Sequence, residues 1–274
     1  MAVIVPCFNA GRLILETIES LQEPEPLELI VVDDRSDDAE TQQALAELEA
    51  RGVRVIRGME NRGAAAARTT GLNETTAPFV FPLDADDLAI PGRISRAADL
   101  LEANPDAAAV IGDYEEFGNA TIVRAVPDAL DPYRIAFTNE YAITSLFRRS
   151  AVEQAGGWRD PLPEHRGYED WNLWMDLAER GARVVHLHDV LYRRRLHAPG
   201  LDLQARRRHA EIYAALRRLH RPLFADLAAH RRRSPLSRPR KLLYPVLYGD
   251  RKLIGFVRWL KPLLDRAGVW TLRR

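Results

Sequence analysis

The sequence predicts an α/β fold, a mainly parallel, Rossmann-like sheet flanked by helices, followed by a helical, basic C-terminal appendage. Three observations predict it. Short β-rich apolar runs alternate with amphipathic helical patterns through the first half of the chain, the signature of repeated βαβ units. The 274 residues, 46% of them hydrophobic, suffice for one large core and an appendage but not for three domains. The formal net charge of zero conceals a division: residues 204–274 carry 19 Lys+Arg against 4 Asp+Glu, leaving 20 basic and 35 acidic residues in 1–203.

The first strand is expected at Ala2–Val5, and the next three at Leu27–Val32, Val53–Arg57 and Phe79–Leu83. Between them, Leu13, Ile14, Ile18 and Leu21 share one helical face and Ala44, Leu45 and Leu48 another, with Asp37 or Asp38 placed to cap the second helix. Gly63–Leu72 is an alanine-rich third helix, and Pro91-Gly92 opens a fourth that runs to about Ala103. Ala108–Ile111 is strand-like, and 113–139 is irregular enough to be a substrate-facing insertion. Tyr168–Arg180 is helical with Gly181 at its C-cap, Val184–His188 is strand-like, 202–233 forms one long helix, and Ser234–Pro239 is a linker.

Cys7 is the sole cysteine, so no internal disulfide can form. No apolar run approaches the roughly 18 residues that a membrane span requires. The apolar start lacks a basic leader and breaks at Pro6, so it is expected to be a strand rather than a secretory signal. A soluble or peripheral protein exposed to the cytoplasm is the resulting expectation.

In an open α/β sheet the ligand crevice lies outside the carboxyl ends of the strands. Asp33-Asp34 follow the second strand and Asp84, Asp86 and Asp87 follow the fourth, so both acidic clusters fall on one rim. Hard divalent cations such as Mg²⁺ or Mn²⁺ prefer oxygen ligands, and Mg²⁺ takes only one or two carboxylates beside phosphate and water. Asp84-Ala85-Asp86 at a strand end therefore suits a metal-diphosphate site, whereas an isolated D-x-D is as often a solvated acidic turn.

Read in order, Val3-Ile4-Val5-Pro6-Cys7-Phe8-Asn9, Ile30-Val31-Val32-Asp33-Asp34, Asn61-Arg62-Gly63 with Arg68 and Gly71, Pro82-Leu83-Asp84-Ala85-Asp86-Asp87, Gly156-Gly157-Trp158 and Glu169-Asp170-Trp171 form a series. The series closely resembles glycosyltransferase family 2 and covers roughly residues 1–200. The resemblance implies a GT-A fold, with a catalytic domain over 1–203 divided into a nucleotide-sugar half (1–112) and an acceptor-side half (113–203), and a basic helical region over 204–274. It implies an inverting, non-processive transfer of sugar from a nucleoside-diphosphate sugar to an acceptor hydroxyl in cell-surface glycan synthesis, with Mn²⁺ or Mg²⁺ as cofactor. The acceptor class, whether glycan, lipid-linked or small molecule, stays open.

The same resemblance implies residue roles. Pro6, Phe8, Asn9, Asp33, Asp34, Asn61, Gly63, Arg68, Asp84 and Ala85 would bind the nucleotide and donor, with Pro6 and the Asp33-Asp34 pair at the nucleoside and Arg68 facing the diphosphate or the nucleobase edge. Asp86 would hold the metal, and His197, in Tyr192-Arg193-Arg194-Arg195-Leu196-His197, would complete the metal shell or bind the diphosphate. Asp170, with Glu169, would be the catalytic base; Asp87, Trp158 and Arg195 would face the sugars, with Arg193 or Arg195 neutralising the departing nucleotide. The chain departs from the family in having Thr69-Thr70 after Arg68 where Asn is frequent, and in lacking a serine after His197.

Other readings are weaker. A haloacid-dehalogenase-type phosphohydrolase would carry its D-x-D on the first strand, without Leu88 where Thr or Val is usual. A dinucleotide-dependent oxidoreductase lacks its G-x-G-x-x-G, a processive synthase its Q-x-x-R-W, and a nucleic-acid binder any reading motif. A degenerate GT-A module that binds nucleotide or scaffolds a complex is the principal alternative. Near the C-terminus, Lys252, Arg258 and Lys261 flank an apolar face of Leu253, Phe256, Val257, Leu260 and Leu264. That face suits an anionic membrane surface at the inner leaflet, the catalytic domain itself, or a second copy in a homodimer.

Overall fold

A computed structural model describes residues 1–118, 121–162, 164, 166–196 and 208–248. The chain begins with β1 (Ala2–Cys7), α1 (Leu13–Glu19), β2 (Glu28–Asp33), α2 (Ala39–Ala50), β3 (Arg54–Arg57), α3 (Ala64–Asn73) and β4 (Phe79–Pro82). It continues through β5 (Leu88–Ala89), α4 (Arg93–Ala103), β6 (Ala107–Phe117), β7 (Ile122–Arg124), α5 (Pro132–Ile135), β8 (Leu146–Arg148) and α6 (Arg149–Gln154). The rest is α7 (Glu169–Glu179), β9 (Arg183–Arg195), α8 (His209–Leu219), α9 (Arg221–Ala225), α10 (Leu227–Arg233) and α11 (Arg238–Tyr248).

The strands form one sheet in the order β3-β2-β1-β4-β8-β6-β9-β5, with β7 paired to β6. Strands β1 to β4 pair in parallel, as do β6 and β9, while β8 and β5 run antiparallel to their neighbours. The period-two alternation of a strand distributes β1 between two cores. Ala2 and Ile4 join Ile30, Val32 and Val80 on the face covered by α3 and α7, and Val3 and Val5 join Val31, Phe79 and Phe81 on the face covered by α1, α2 and α4. Burial on both sides is why these strands read as continuous apolar runs. Asp38 caps α2, accepting from Thr41 N at 2.7 Å. Gly71 is required because a Cβ there would run into the Ile4 side chain, so α3 lies close on β1.

Three expectations need correction. The stretch 202–233 is not one helix among the described residues: α8, α9 and α10 succeed one another with turns at His220 and Asp226. The first turn comes just before Pro222, a residue tolerated in a first helical turn but not in a helix interior. The 113–139 segment is only partly irregular, since β6 runs on to Phe117 and β7 and α5 follow. Residues 234–237 join α10 to α11, Arg238 and Pro239 already opening the helix rather than a linker, and Ser234 is buried, donating through Oγ to Asp131 at 2.6 Å.

The C-terminal helices pack on the body. Tyr213 donates to the Ala136 carbonyl at 2.8 Å, Tyr244 to Glu140 at 2.6 Å, and Tyr133 to the Lys241 carbonyl at 2.6 Å. Among the described residues no helix is long and apolar enough to cross a membrane. The amphipathic segment from Lys252 to Leu264 lies outside the described residues.

Candidate active site

The order β2-β1-β4 marks a topological switch, because the chain builds outward from β1 to β3 and then returns to β1's other side with β4. The carboxyl ends of β1, β2 and β4 therefore open a crevice at one rim. A cavity of about 360 Å³ lies there, lined by Asp33, Asp34, Ile56, Gly58, Arg62 and Thr70 among others.

The Asp33-Asp34 pair divides its work. Asp34 spends one carboxylate oxygen on the Arg62 N–H (2.7 Å) and the other on the Gly63 N–H (2.6 Å), so it shapes the pocket wall as much as it offers a reading group. Asp33 is buried and accepts from Ser36 N at 3.0 Å, with Arg57 4.0 Å away. Pro6 is buried inside β1, whereas Phe8 is 46% exposed beyond its end. Asn9, at φ +50, is a brace: its carbonyl oxygen accepts from Asp37 N at 3.0 Å and its amide donates to Asp37 Oδ1 at 2.7 Å. Gly63 has φ +91, and a Cβ there would come within 3.0 Å of the Arg166 side chain. Arg166 also donates to the side-chain oxygen of Asn61 and, at 2.6 Å, to its carbonyl, closing a loop over this edge of the site.

Arg68 links the two acidic centres. It projects from α3, is 3% exposed, and donates to Asp84 Oδ1 at 2.5 Å and to Glu169 Oε1 at 2.7 Å. Burial alone would favour losing its proton, but the two carboxylates outweigh burial and hold the guanidinium charged. The loop after β4 and the start of α7, 85 positions apart in sequence, thus meet at one side chain. Arg68 Nε is buried and has no hydrogen-bond partner.

Asp170 occupies the first turn of α7, partly open to the cleft yet packed closely by protein. Burial first, then the adjacent Glu169 charge, pushes its carboxyl up to about 7, against the Trp171 N–H (2.7 Å), Arg68 and the Asn139 amide (2.8 Å). A carboxylate poised near neutrality can accept a proton from a hydroxyl and hold it. Asn139 is a site residue the sequence reading missed. It lies in the segment taken as irregular, and no motif marks it. Asp160, pushed up to about 6 by burial, was missed as well; it accepts from Gly167 N at 2.8 Å and braces the approach to Glu169.

Three residues expected on the sugar side sit elsewhere. Trp158 is 2% exposed, its ring edge against Phe147, because the strand-side core needs a large apolar filler there. Asp87 is buried and accepts from Arg195 N at 2.8 Å, and its carboxyl is pushed well above the usual range by burial and by the charges of Asp84 and Asp86. Arg195 turns under the same loop, donating to the Asp86 carbonyl at 2.9 Å and to Glu16 at 2.7 Å while stacking on Phe117. Asp87 and Arg195 thereby shape the 84–87 turn. Ala85 is buried within that turn.

The donor set fits a hard divalent ion. Asp84, Asp86 and Asp87 supply only oxygen, and their mutual repulsion, visible in Asp87, is what a cation would relieve. Among the described residues no third His or acidic ligand converges on Asp86. His197 lies outside the described residues.

Comparison with known proteins agrees with this architecture. The chain is similar to the succinoglycan biosynthesis protein ExoU of Rhizobium meliloti, 38% identical over 210 residues covering 70% of this chain and 60% of that one. It is similar to EpsE of Bacillus subtilis, 28% identical over 237 residues, 81% of this chain and 84% of that one. The crystal structure of S. aureus TarS 1-349 in complex with UDP-GlcNAc superposes with a TM-score of 0.67 at 21% identity, covering 92% of this chain and 72% of that one, and so shares the GT-A fold. The model of the family described as glycosyl transferase family 2 matches residues 2–154, more than half of the chain. The chain belongs to glycosyltransferase family 2.

Proposed function

We propose that the chain transfers a sugar from a nucleoside-diphosphate sugar to an acceptor hydroxyl by single, inverting displacement, as a non-processive enzyme of cell-surface glycan synthesis. The observation that carries this is Arg68, which joins Asp84 of the diphosphate loop to Glu169 beside a base held near neutrality. The nucleoside occupies the cavity beside Asp33 and Asp34, and the diphosphate lies along the 84–87 loop that Arg68 braces through Asp84. Asp170 receives the acceptor's proton as its oxygen attacks the anomeric carbon, a role that typically contributes about 10²–10⁴-fold. Asn139 and the Trp171 N–H fix the carboxylate's direction. Asp86 would hold a Mg²⁺ or Mn²⁺ ion, which would supply charge neutralisation to the departing diphosphate.

The name of ExoU supports a polysaccharide product, and the UDP-GlcNAc bound to TarS supports a uridine nucleotide as the first donor to try. Residues 1–203 serve as the catalytic unit and 204–274 as an accessory region. The arginines of α10, Arg231 to Arg233, are exposed and extend the basic charge that would favour an anionic membrane surface, in keeping with a peripheral enzyme.

The test is Asp170→Asn, assayed with UDP-sugars and Mn²⁺. Transfer should fall by at least about 10²-fold while UDP affinity stays within a few-fold of wild type. Undiminished transfer by this variant refutes the base, and a product that keeps the donor's anomeric configuration refutes inversion.

A further inference from the structure

We propose that Asp176, Glu179 and His220 form a second metal site, structural in role, which takes a borderline ion of the Zn²⁺ class and ties the C-terminal helices to α7. Asp176 and Glu179 stand at i, i+3 on α7, hence on one helix face. His220 comes from the corner between α8 and α9. One ligating atom from each lies within 4.8 Å of the others, well away in sequence from the 84–87 loop.

The protonation of His220 follows from its neighbours. Asn172 Nδ2 donates to the Arg159 carbonyl at 3.0 Å, and a carbonyl can only accept, so the amide orientation is fixed with Oδ1 toward the histidine. His220 Nε2 lies 2.8 Å from that oxygen and must carry the proton it donates. Nδ1 of the neutral ring is therefore a bare lone pair. It is buried, within a residue 2% exposed, and has no hydrogen-bond partner. Facing it at 3.4 Å is Glu179 Oε1, another acceptor. Glu179 is exposed and its Oε1 also accepts from Leu223 N at 3.3 Å, but the buried Nδ1 has only this acceptor before it, and a cation between the two would satisfy it.

A metal ion between them meets the geometry. Ligands on a tetrahedral ion with bonds of roughly 2.0–2.1 Å stand about 3.3–3.4 Å apart, the observed Nδ1 to Oε1 separation. One imidazole and two carboxylates suit Zn²⁺ more than Mg²⁺. The outer contacts match as well: a ligating histidine donates its other N–H to an oxygen, here Asn172, and Asp176 is oriented by Arg159 at 2.8 Å. Glu179 sits at the surface, which leaves a path for entry and a position for water.

The experiment is calorimetric titration of Zn²⁺ into the full, chelator-stripped chain in excess Mg²⁺, with melting curves beside it, so that catalysis is never the readout. Glu179→Gln is the informative variant, because its amide can donate to Nδ1 and keeps the metal-free fold satisfied. Asp128→Asn controls for the other histidine group among the described residues, Asp128, His186 and His188. Wild type and Asp128→Asn should bind one Zn²⁺ per chain and melt higher with it. Glu179→Gln should bind at least about 100-fold more weakly, a loss no smaller than that from removing an outer-shell partner, while melting no lower than wild type without metal. Absence of Zn²⁺ uptake by wild type, equal affinity in Glu179→Gln, or loss of binding in Asp128→Asn instead overturns the proposal. Failure of sugar transfer would leave these results unchanged, since none of the three residues belongs to the cleft.

Discussion

Asn139→Ala is the sharpest probe of the base. Asn139 donates to Asp170 Oδ2 at 2.8 Å, and that bond favours the ionised carboxylate, whose pKa burial and the Glu169 charge push up to about 7 even with the bond in place. A hydrogen bond to a charged group contributes about 1.5–3 kcal/mol, and one pH unit corresponds to about 1.36 kcal/mol. Removing the amide should therefore move the acid limb of kcat/KM upward by about 1–2 units from its position near 7. At pH 7 the fraction of enzyme with a competent base falls from about one half to between one tenth and one hundredth, a roughly 5- to 50-fold loss. The decisive feature is recovery: at pH 9 and above the variant should regain most of the wild-type rate, because the proton leaves again. Asn139 also accepts from Tyr141 N at 3.0 Å, so some local loosening is expected, but loosening does not reverse with pH. A pH profile lowered uniformly, with its acid limb unmoved, would refute both the positioning role of Asn139 and the assignment of Asp170.

Asp170→Asn, besides losing transfer, should stabilise the fold. The folded carboxyl holds its proton to about pH 7 while the unfolded chain releases it near 4, so ionisation destabilises the native state increasingly across that window; urea unfolding should show a gain at pH 8, with ~4 kcal/mol as the upper bound, that vanishes near pH 4. Arg68→Met leaves Glu169 and Asp84 facing each other without a cation and should cost about 3 kcal/mol, below the top of the range for broken buried pairs because Asp84 is open to water; an unchanged melting temperature would refute the bridge. Asp86→Ala should abolish the effect of Mn²⁺ on UDP binding in a thermal-shift titration, and full wild-type activity in excess chelator would refute the metal. Gly71→Ala should destabilise by about 1–3 kcal/mol through overpacking against Ile4, without altering donor affinity in the protein that remains folded.

What the sequence makes legible is what neighbouring residues decide. Strands β1 to β4 are visible because burial on both faces leaves uninterrupted apolar runs, and α2 because its cap and its apolar face lie within one dozen residues. The D-x-D loop and the Glu169-Asp170 pair are visible because chemistry constrains residue type at fixed spacing. The contacts that turn them into one site are not: Arg68 reaches Glu169 across 101 positions and Asn139 reaches Asp170 across 31. Strand β8 is three residues long, too short for any periodicity. Side-chain direction is equally hidden, which is why Arg195 and Asp87, chosen for charge, prove to hold the turn from beneath, and Trp158 fills the core. A helical pattern over 202–233 conceals its own breaks, because the apolar spacing continues through turns at His220 and Asp226.

The arrangement around Arg68 explains why a buried ion network persists at a site where apolar packing would be the more stable choice. One guanidinium stands between two carboxylates, and Asp170 beside it is raised first by burial and then by the Glu169 charge, while Arg68 pulls it back down. Without the arginine, Glu169 and Asp170 would repel each other more strongly, and the base would hold its proton at physiological pH. With two arginines, Asp170 would ionise at ordinary carboxylate pH and become too weak a base. A single cation shared between the donor loop and the base helix sets an intermediate value. Its two charged contacts come from loops that both border the cleft, so any displacement of the 84–87 turn is felt at Asp170. Under the proposed function, donor binding at the 84–87 loop and base strength would be coupled through this one side chain, and the rigidity of its fork, which lysine lacks, would make the coupling geometric as well as electrostatic.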